Sequence, residues 1–140
     1  MKVFDTFEGL PEPTHGDPDW EVAKGYTGDY RGELQQVRSL FAELGILPYS
    51  RMVKGLFQDT LADSGVGEIA VLHLDGDWYD SVRTCLEHFY DRVSAGGVIQ
   101  IDDYGWWAGA RKAVDEFIGE RCPEVQLRYI DYEGRYMIKP

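Results

Sequence analysis

Residues 68–77 read EIAVLHLDGD, and the class of the fold follows mainly from them. Residues 68–74 form a nearly continuous apolar run, the pattern of a strand that is buried on both faces of a parallel sheet. Residues 98–103, VIQIDD, repeat the arrangement, because an apolar run again ends in acids, here Asp102 and Asp103. Two such strands with helical sequence between them predict an α/β layered sheet that is mostly parallel.

Helical and strand patterns alternate on both sides of these strands. Residues 78–93 space their apolar side chains as a helix does over about four turns, and Ala95, Gly96 and Gly97 should end that helix. The other predicted elements are a strand over residues 2–5, a helix capped near Asp29 and stopped at Gly45, a strand over residues 50–54, a helix around residues 109–119, and closing strands over residues 126–130 and 135–138. A short glycine-bearing connection predicts that the closing strands pair as an antiparallel hairpin. We expect residues 1–140 to form a single domain.

Acids follow three strands of the predicted sheet. They are Asp5, then Asp75 with Asp77, then Asp102 with Asp103. Ligands of open α/β sheets bind outside the carboxyl ends of the strands, where side chains from parallel neighbours meet. Carboxylates without histidine or cysteine partners suit a hard divalent cation such as Mg²⁺.

Each of these acids also has a structural explanation. Asp77 precedes a helix and reads as its cap rather than as a ligand. Asp102 and Asp103 together exceed what one cap requires, which favours the functional interpretation. Asp5 could accept the ribose hydroxyls of a nucleoside, although an acid that starts a solvated loop is the more frequent explanation for one such residue. His73, inside the apolar run, is expected to face a helix or to bond a backbone group.

Two further features concern the surroundings of these acids. Residues 11–28 contain three prolines and few large apolar groups, and an irregular segment of that length is usually a functional lid or a disordered segment. Trp106 and Trp107 follow Asp103 closely and could wall a hydrophobic acceptor pocket, while core packing explains one of them equally well.

Charge and composition exclude several classes of partner. The formal net charge of -11 would repel nucleic-acid phosphates and anionic lipid surfaces. Cys85 and Cys122 have neither zinc-site nor disulfide-framework spacing. No segment has the pattern of a signal peptide or a membrane span, so a cytoplasmic location is the default expectation.

The assembled motifs resemble the macrocin O-methyltransferase family. The resemblance rests on LDGD (residues 74–77) followed by Tyr79, on IDDYG (residues 101–105), and on the helix with AVDEF (residues 113–117). It implies a Rossmann-like sheet, S-adenosylmethionine and Mg²⁺ as cofactors, and a hydroxyl acceptor on a small natural product, typically a sugar. Carried over by motif, the metal ligands are Asp75, Asp102 and Asp103, and Asp5 is the partner of the cofactor ribose. Either Asp75 or a water at the metal would take the acceptor's proton.

One departure from the family pattern lies at the start of the chain. No glycine-rich turn precedes Val3, so we expect the first strand, between those that carry Asp5 and Asp75, to be missing. The chain would then be N-terminally truncated, completed by a partner chain, or a reduced relative that binds a metal or a partner without turnover. Exposed strand edges would favour a homo-oligomer. A magnesium-dependent phosphatase with Asp75 as nucleophile is a weaker alternative, since Trp78 and Tyr79 stand where that class has Gly-Thr.

Overall fold

The computed structural model describes residues 1–140. In chain order the elements are β1 (Lys2–Asp5), α1 (Trp20–Ala23), α2 (Leu34–Glu43), β2 (Arg51–Lys54), α3 (Phe57–Thr60), β3 (Ile69–Leu74), α4 (Tyr79–Phe89), β4 (Val93–Ile101), α5 (Ala108–Arg121), β5 (Arg128–Tyr129) and β6 (Arg135–Ile138). Short 3₁₀ turns at Lys24–Tyr26, Leu47–Tyr49 and Tyr90–Arg92 complete the set. No helix combines the length and the apolar character that crossing a bilayer requires.

The strands form two separate sheets. β1 and β2 pair in parallel, and the second sheet has the order β3-β4-β6-β5. β3 and β4 are parallel with Leu74 opposite Ile101, whereas β6 runs antiparallel to both β4 and β5. The prediction of an α/β sheet with parallel strands and a C-terminal antiparallel hairpin is confirmed.

One face of the second sheet packs on the helices α4 and α5. Trp78, Leu86 and Phe117 join Ile99 and Ile101 in a single apolar cluster in which each of these side chains is at most 2% exposed. The apolar spacing predicted for residues 78–93 therefore does face the core. Because this packing fixes where β3 and β4 end, it also fixes where the acids after them lie.

The other face of β3 differs from the prediction. Ala70, Val71 and His73 are exposed, and Val71 keeps 65% of its surface in contact with solvent. The expectation that both faces of this strand are buried is wrong, because α4 and α5 cover one face only and β3 lies at the edge of its sheet.

Several boundaries also differ from the prediction. The helix predicted over residues 78–93 ends at Phe89, and the strand predicted over residues 126–130 is reduced to Arg128–Tyr129. β4 begins at Val93 rather than at residue 98, and a register shift against β3 accommodates the extra residues. α2 begins after Glu33, not after the predicted cap Asp29.

Candidate functional site

A cleft of about 920 Å³ opens beyond the carboxyl ends of β1 and β3. The acids at its wall include Asp5, Asp75, Asp77 and Asp103. The volume lies within the range of small-molecule sites, and the cleft's position is the one that open α/β sheets use for ligands.

Three of these carboxylates form a tight group. One carboxylate oxygen from each of Asp75, Asp77 and Asp103 lies within 4.8 Å of the other two. The ends of β3 and β4 are joined by a 2.9 Å hydrogen bond that the Asp102 N–H donates to the Leu74 carbonyl, and the Asp77 N–H donates to Asp103 Oδ2 at 3.3 Å. The backbone thus holds the three acids together.

The pKa values of this group are raised. Burial, reinforced by the charges of Asp77 and Asp75, raises the pKa of Asp103 to about 8. Burial and the charge of Asp75 raise the pKa of Asp77 to about 6. For Asp75, removal of water in the cleft and then the charge of Asp102 raise the pKa, while the neighbouring His73 opposes the rise. Mutual repulsion of this kind is the state a divalent cation would relieve, so the carboxylate group fits such an ion.

Asp102 lies apart from the three. Its Oδ1 is 3.4 Å from His73 Nε2, and neither side chain lines the cleft. Of the predicted metal ligands Asp75, Asp102 and Asp103, the structure therefore brings together only Asp75 and Asp103. The third member of the group is Asp77 and not Asp102. His73 neither faces a helix nor bonds a backbone group, which corrects that expectation.

Asp77 does not cap α4. Trp78 occupies the cap position, and Asp77 Oδ1 accepts a 3.1 Å hydrogen bond from the Trp107 indole N–H. Asp77 also has a φ of 56°, a left-handed conformation that is uncommon outside glycine and often marks a functional site. The sequence Asp-Gly-Asp was the one local pattern that could have indicated a role for Asp77 in the site. The hydrogen bond from the Trp107 indole could not be predicted, because Trp107 is 30 positions away.

The two tryptophans have different surroundings. Trp107 is 6% exposed, with its ring centroid 4.8 Å from that of Trp78 and 5.2 Å from that of Tyr26. Trp106 is 57% exposed and lines the cleft. One tryptophan belongs to the core, as the packing explanation predicted, and the other is a cleft residue.

Asp5 ends β1 and lies at the cleft wall, with one carboxylate oxygen accepting the N–H of Phe7. It is thus in the place expected for a group that contacts a bound nucleoside. The structure brings it to the same cleft as the acids after β3 and β4.

Two acids within residues 11–28 make contacts that were not predicted from the sequence. Asp17, 3% exposed, accepts the Tyr79 N–H at 2.7 Å through Oδ1 and the Thr14 N–H at 3.0 Å through Oδ2. Asp19 Oδ2 accepts the Ala108 N–H at 3.1 Å. These bonds attach the segment to the first turns of α4 and α5, which follow the acidic group directly. No local sequence pattern predicts the hydrogen bonds to Tyr79 and Ala108, because these partners are about 60 to 90 positions away.

Comparisons with known proteins identify the family to which the chain is similar. A family model described as macrocin-O-methyltransferase (TylF) matches residues 1–139. An enzyme of Streptomyces olivaceus, 8-demethyl-8-(2,3-dimethoxy-alpha-L-rhamnosyl)-tetracenomycin-C 4'-O-methyltransferase, is 38% identical over 94% of this chain and 52% of its own length. The demethyldecarbamoylnovobiocin O-methyltransferase of Streptomyces niveus is 32% identical over 96% of this chain and 53% of its own length.

A solved structure confirms the fold. The O-methyltransferase NovP superposes with a TM-score of 0.87 at 30% identity, over 99% of this chain and 59% of NovP. The predicted Rossmann-like methyltransferase sheet is thereby confirmed. The chain spans about half the length of the curated relatives it matches.

Proposed function

This chain belongs to the TylF macrocin-O-methyltransferase family, and on that premise we propose that it functions as an S-adenosylmethionine- and Mg²⁺-dependent O-methyltransferase. The acceptor is a sugar hydroxyl of a small natural product. The observation that supports this most directly is the group of three carboxylates in the cleft beyond β3 and β4. The cytoplasmic location predicted from the sequence belongs to the same proposal.

The metal is assigned to Asp75, Asp102 and Asp103. Asp75 and Asp103 already belong to the same carboxylate group, and the charge of Asp102 acts on Asp75 more strongly than any other single charge. Asp102 is half-exposed and lies 3.4 Å from His73, whereas Asp77 accepts a hydrogen bond from the Trp107 indole N–H. A bound Mg²⁺ supplies Lewis-acid chemistry, which lowers the pKa of an acceptor hydroxyl.

The remaining roles fall to Asp75 and Asp5. Asp75 accepts the proton of the acceptor hydroxyl, because its carboxylate lines the cleft in which the acceptor binds. Asp5 accepts hydrogen bonds from the ribose hydroxyls of S-adenosylmethionine, the methyl donor.

The names of the relatives support the acceptor class. The Streptomyces olivaceus enzyme is named for a rhamnosyl tetracenomycin, and a Micromonospora griseorubida relative, 32% identical, is mycinamicin III 3''-O-methyltransferase. Both names describe glycosylated natural products of low molecular mass. A small molecule of this kind also agrees with the size of the cleft and with the negative charge of the chain.

Calorimetric titration with S-adenosylhomocysteine, with and without Mg²⁺, tests the proposal. We expect binding in roughly the micromolar range. Asp5→Ala should abolish most of that affinity while leaving Mg²⁺ binding intact, and Asp63→Ala, which removes an exposed acid outside the cleft, should match the wild type. A folded wild-type chain that binds neither ligand would contradict the proposal.

A second candidate is metal or partner binding without turnover. It is favoured by one observation, namely that β1 and β3 are not hydrogen-bonded to each other, so the strands that bear Asp5 and Asp75 belong to separate sheets. Mg²⁺ binding without S-adenosylhomocysteine binding in the same titration would favour this candidate.

A further inference from the structure

Two exposed aromatic side chains line the cleft that contains the acidic group. Trp106 is 57% exposed and Tyr30 is 76% exposed. The nearest aromatic contact of Trp106 is edge-on with Trp107, at 6.5 Å between ring centroids. Large aromatic surfaces left in water inside a concave site are informative, because most such rings in folded proteins are covered.

The backbone of each residue is held although its ring is free. The Trp106 N–H donates to the Asp103 carbonyl at 3.1 Å, so the backbone that carries the indole is held three residues from Asp103. Tyr30 has a φ of 56°, a left-handed conformation that costs a tyrosine about 1 to 2 kcal/mol and persists only where its surroundings enforce it.

The segment that precedes Tyr30 is attached to Leu10 by two backbone hydrogen bonds. The Leu10 N–H donates to the Asp29 carbonyl at 2.9 Å, and the Gly28 N–H donates to the Leu10 carbonyl at 2.8 Å. The segments around Gly9 and Gly28 approach so closely that a Cβ on Gly9 would lie 2.3 Å from the Gly28 carbonyl oxygen. Tyr30 therefore follows directly on a backbone segment that is held at Gly28 and Asp29.

We propose that Trp106 and Tyr30 bind the apolar face of the acceptor's pyranose ring and so determine which sugars the cleft accepts. This inference rests on the proposed function. A pyranose has faces of C–H bonds and an edge of hydroxyls, and the face of an aromatic ring carries partial negative charge that attracts those C–H groups. The hydroxyl edge then meets the polar side of the same cleft, where Asp75 and Asp103 lie.

Saturation-transfer NMR with methyl α-L-rhamnopyranoside, in the presence of Mg²⁺ and S-adenosylhomocysteine, tests this binding. For the wild type, the ring C–H protons should receive more saturation than the O-methyl group. Trp106→Ala and Tyr30→Ala should each weaken binding about three- to tenfold, as the loss of one aromatic contact does. Trp106→Phe should retain most of the affinity. Tyr49→Ala, which removes a 77% exposed aromatic ring outside the cleft, should bind like the wild type.

Several outcomes would overturn the inference. These are no transfer to the rhamnoside in the wild type, unchanged transfer in both alanine variants, or an equal loss in Tyr49→Ala. S-adenosylhomocysteine affinity, measured on the same samples, separates this failure from failure of the proposed function. Normal cofactor binding without sugar contact to Trp106 or Tyr30 rejects the aromatic assignment alone, whereas loss of cofactor binding in the wild type rejects the methyltransferase proposal.

Discussion

Asp103 retains a proton at neutral pH in the metal-free chain, because its pKa is raised from the ordinary 3.8 to about 8. The folded chain therefore binds this proton more tightly than the unfolded chain does. Between about pH 4 and pH 8 the folded state carries the additional proton, so stability decreases as pH rises through that window, and the full cost is present above pH 8.

The Asp103→Asn variant should remove this part of the pH dependence. In EDTA, its urea midpoint should exceed that of the wild type at pH 8.5 and approach it near pH 4, since the substitution removes the repulsion without removing the side chain. Asp63→Asn deletes the same charge at an exposed position outside the cleft and should not change the slope. Parallel pH profiles for wild type and Asp103→Asn would contradict the assignment of the raised pKa.

A second residue-scale prediction decides between two metal sets. If Asp75, Asp102 and Asp103 bind Mg²⁺, Asp102→Asn should weaken Mg²⁺ affinity by tenfold or more, as expected for loss of a charged ligand, and Asp77→Asn should have a much smaller effect. Calorimetric titration with Mg²⁺ measures both. The reverse order would identify the group seen in the cleft, Asp75 with Asp77 and Asp103, as the ligands.

The sequence predicts strand-end acids more reliably than it predicts which acids meet. Asp75 and Asp103 follow from the apolar runs before them. Asp102 was harder to place, because successive side chains of a strand alternate between faces. His73 lies opposite Gln100 in the sheet register, and Asp102, two residues after Gln100, extends along the same face toward His73. That register is a property of the pair of strands and not of either run.

At the scale of elements, α5 contains a matched pair of glycines. A Cβ on Gly109 would lie 2.0 Å from Asp17 Oδ1 and 2.9 Å from the Tyr79 nitrogen, whereas a Cβ on Gly119 would meet nothing within 4 Å. Gly109 thus permits the close contact by which Asp17 caps α4. Gly119 has no comparable neighbour.

Alanine substitutions at the two glycines should therefore have opposite effects. Gly119→Ala should stabilise the chain by about 0.5 to 1 kcal/mol, through the higher helix propensity of alanine. Gly109→Ala should destabilise it by about 1 to 3 kcal/mol, because the methyl group displaces the Asp17 carboxylate and leaves the Tyr79 N–H without its acceptor. Urea unfolding measures both, and stabilisation by Gly109→Ala would show that the contact between Asp17 and α4 is dispensable.

Helical spacing identified α4 and α5 because each presents a continuous apolar face to the sheet. The same method placed the start of β4 five residues late, at residue 98 instead of Val93. Ala95, Gly96 and Gly97 have the composition of a helix stop, yet pairing with β3 draws them into the strand with a register shift. Tertiary pairing overrode local propensity there, as it commonly does for glycine-containing strand segments.

At the scale of the whole molecule, the second sheet is covered by helices on one face only, and this bears on association between chains. α4 and α5 bury one face, while β3 leaves both a free edge and exposed apolar surface at Val71. Unpaired strand edges with apolar side chains are sites of association between chains, and proteins often protect them with lysine. The homo-oligomer predicted from the sequence would form most readily at this edge.

Val71→Lys tests that prediction directly. In sedimentation velocity over a concentration series, the wild type should show a rising average mass, whereas Val71→Lys should remain monomeric, since a charge on the edge strand opposes pairing with a second edge. Val22→Lys is the matched control, because Val22 is 62% exposed, close to the 65% of Val71, but belongs to α1 and not to a sheet. If the wild type stays monomeric at every concentration, or if both lysine variants dissociate alike, the exposed edge of β3 is not the site of self-association.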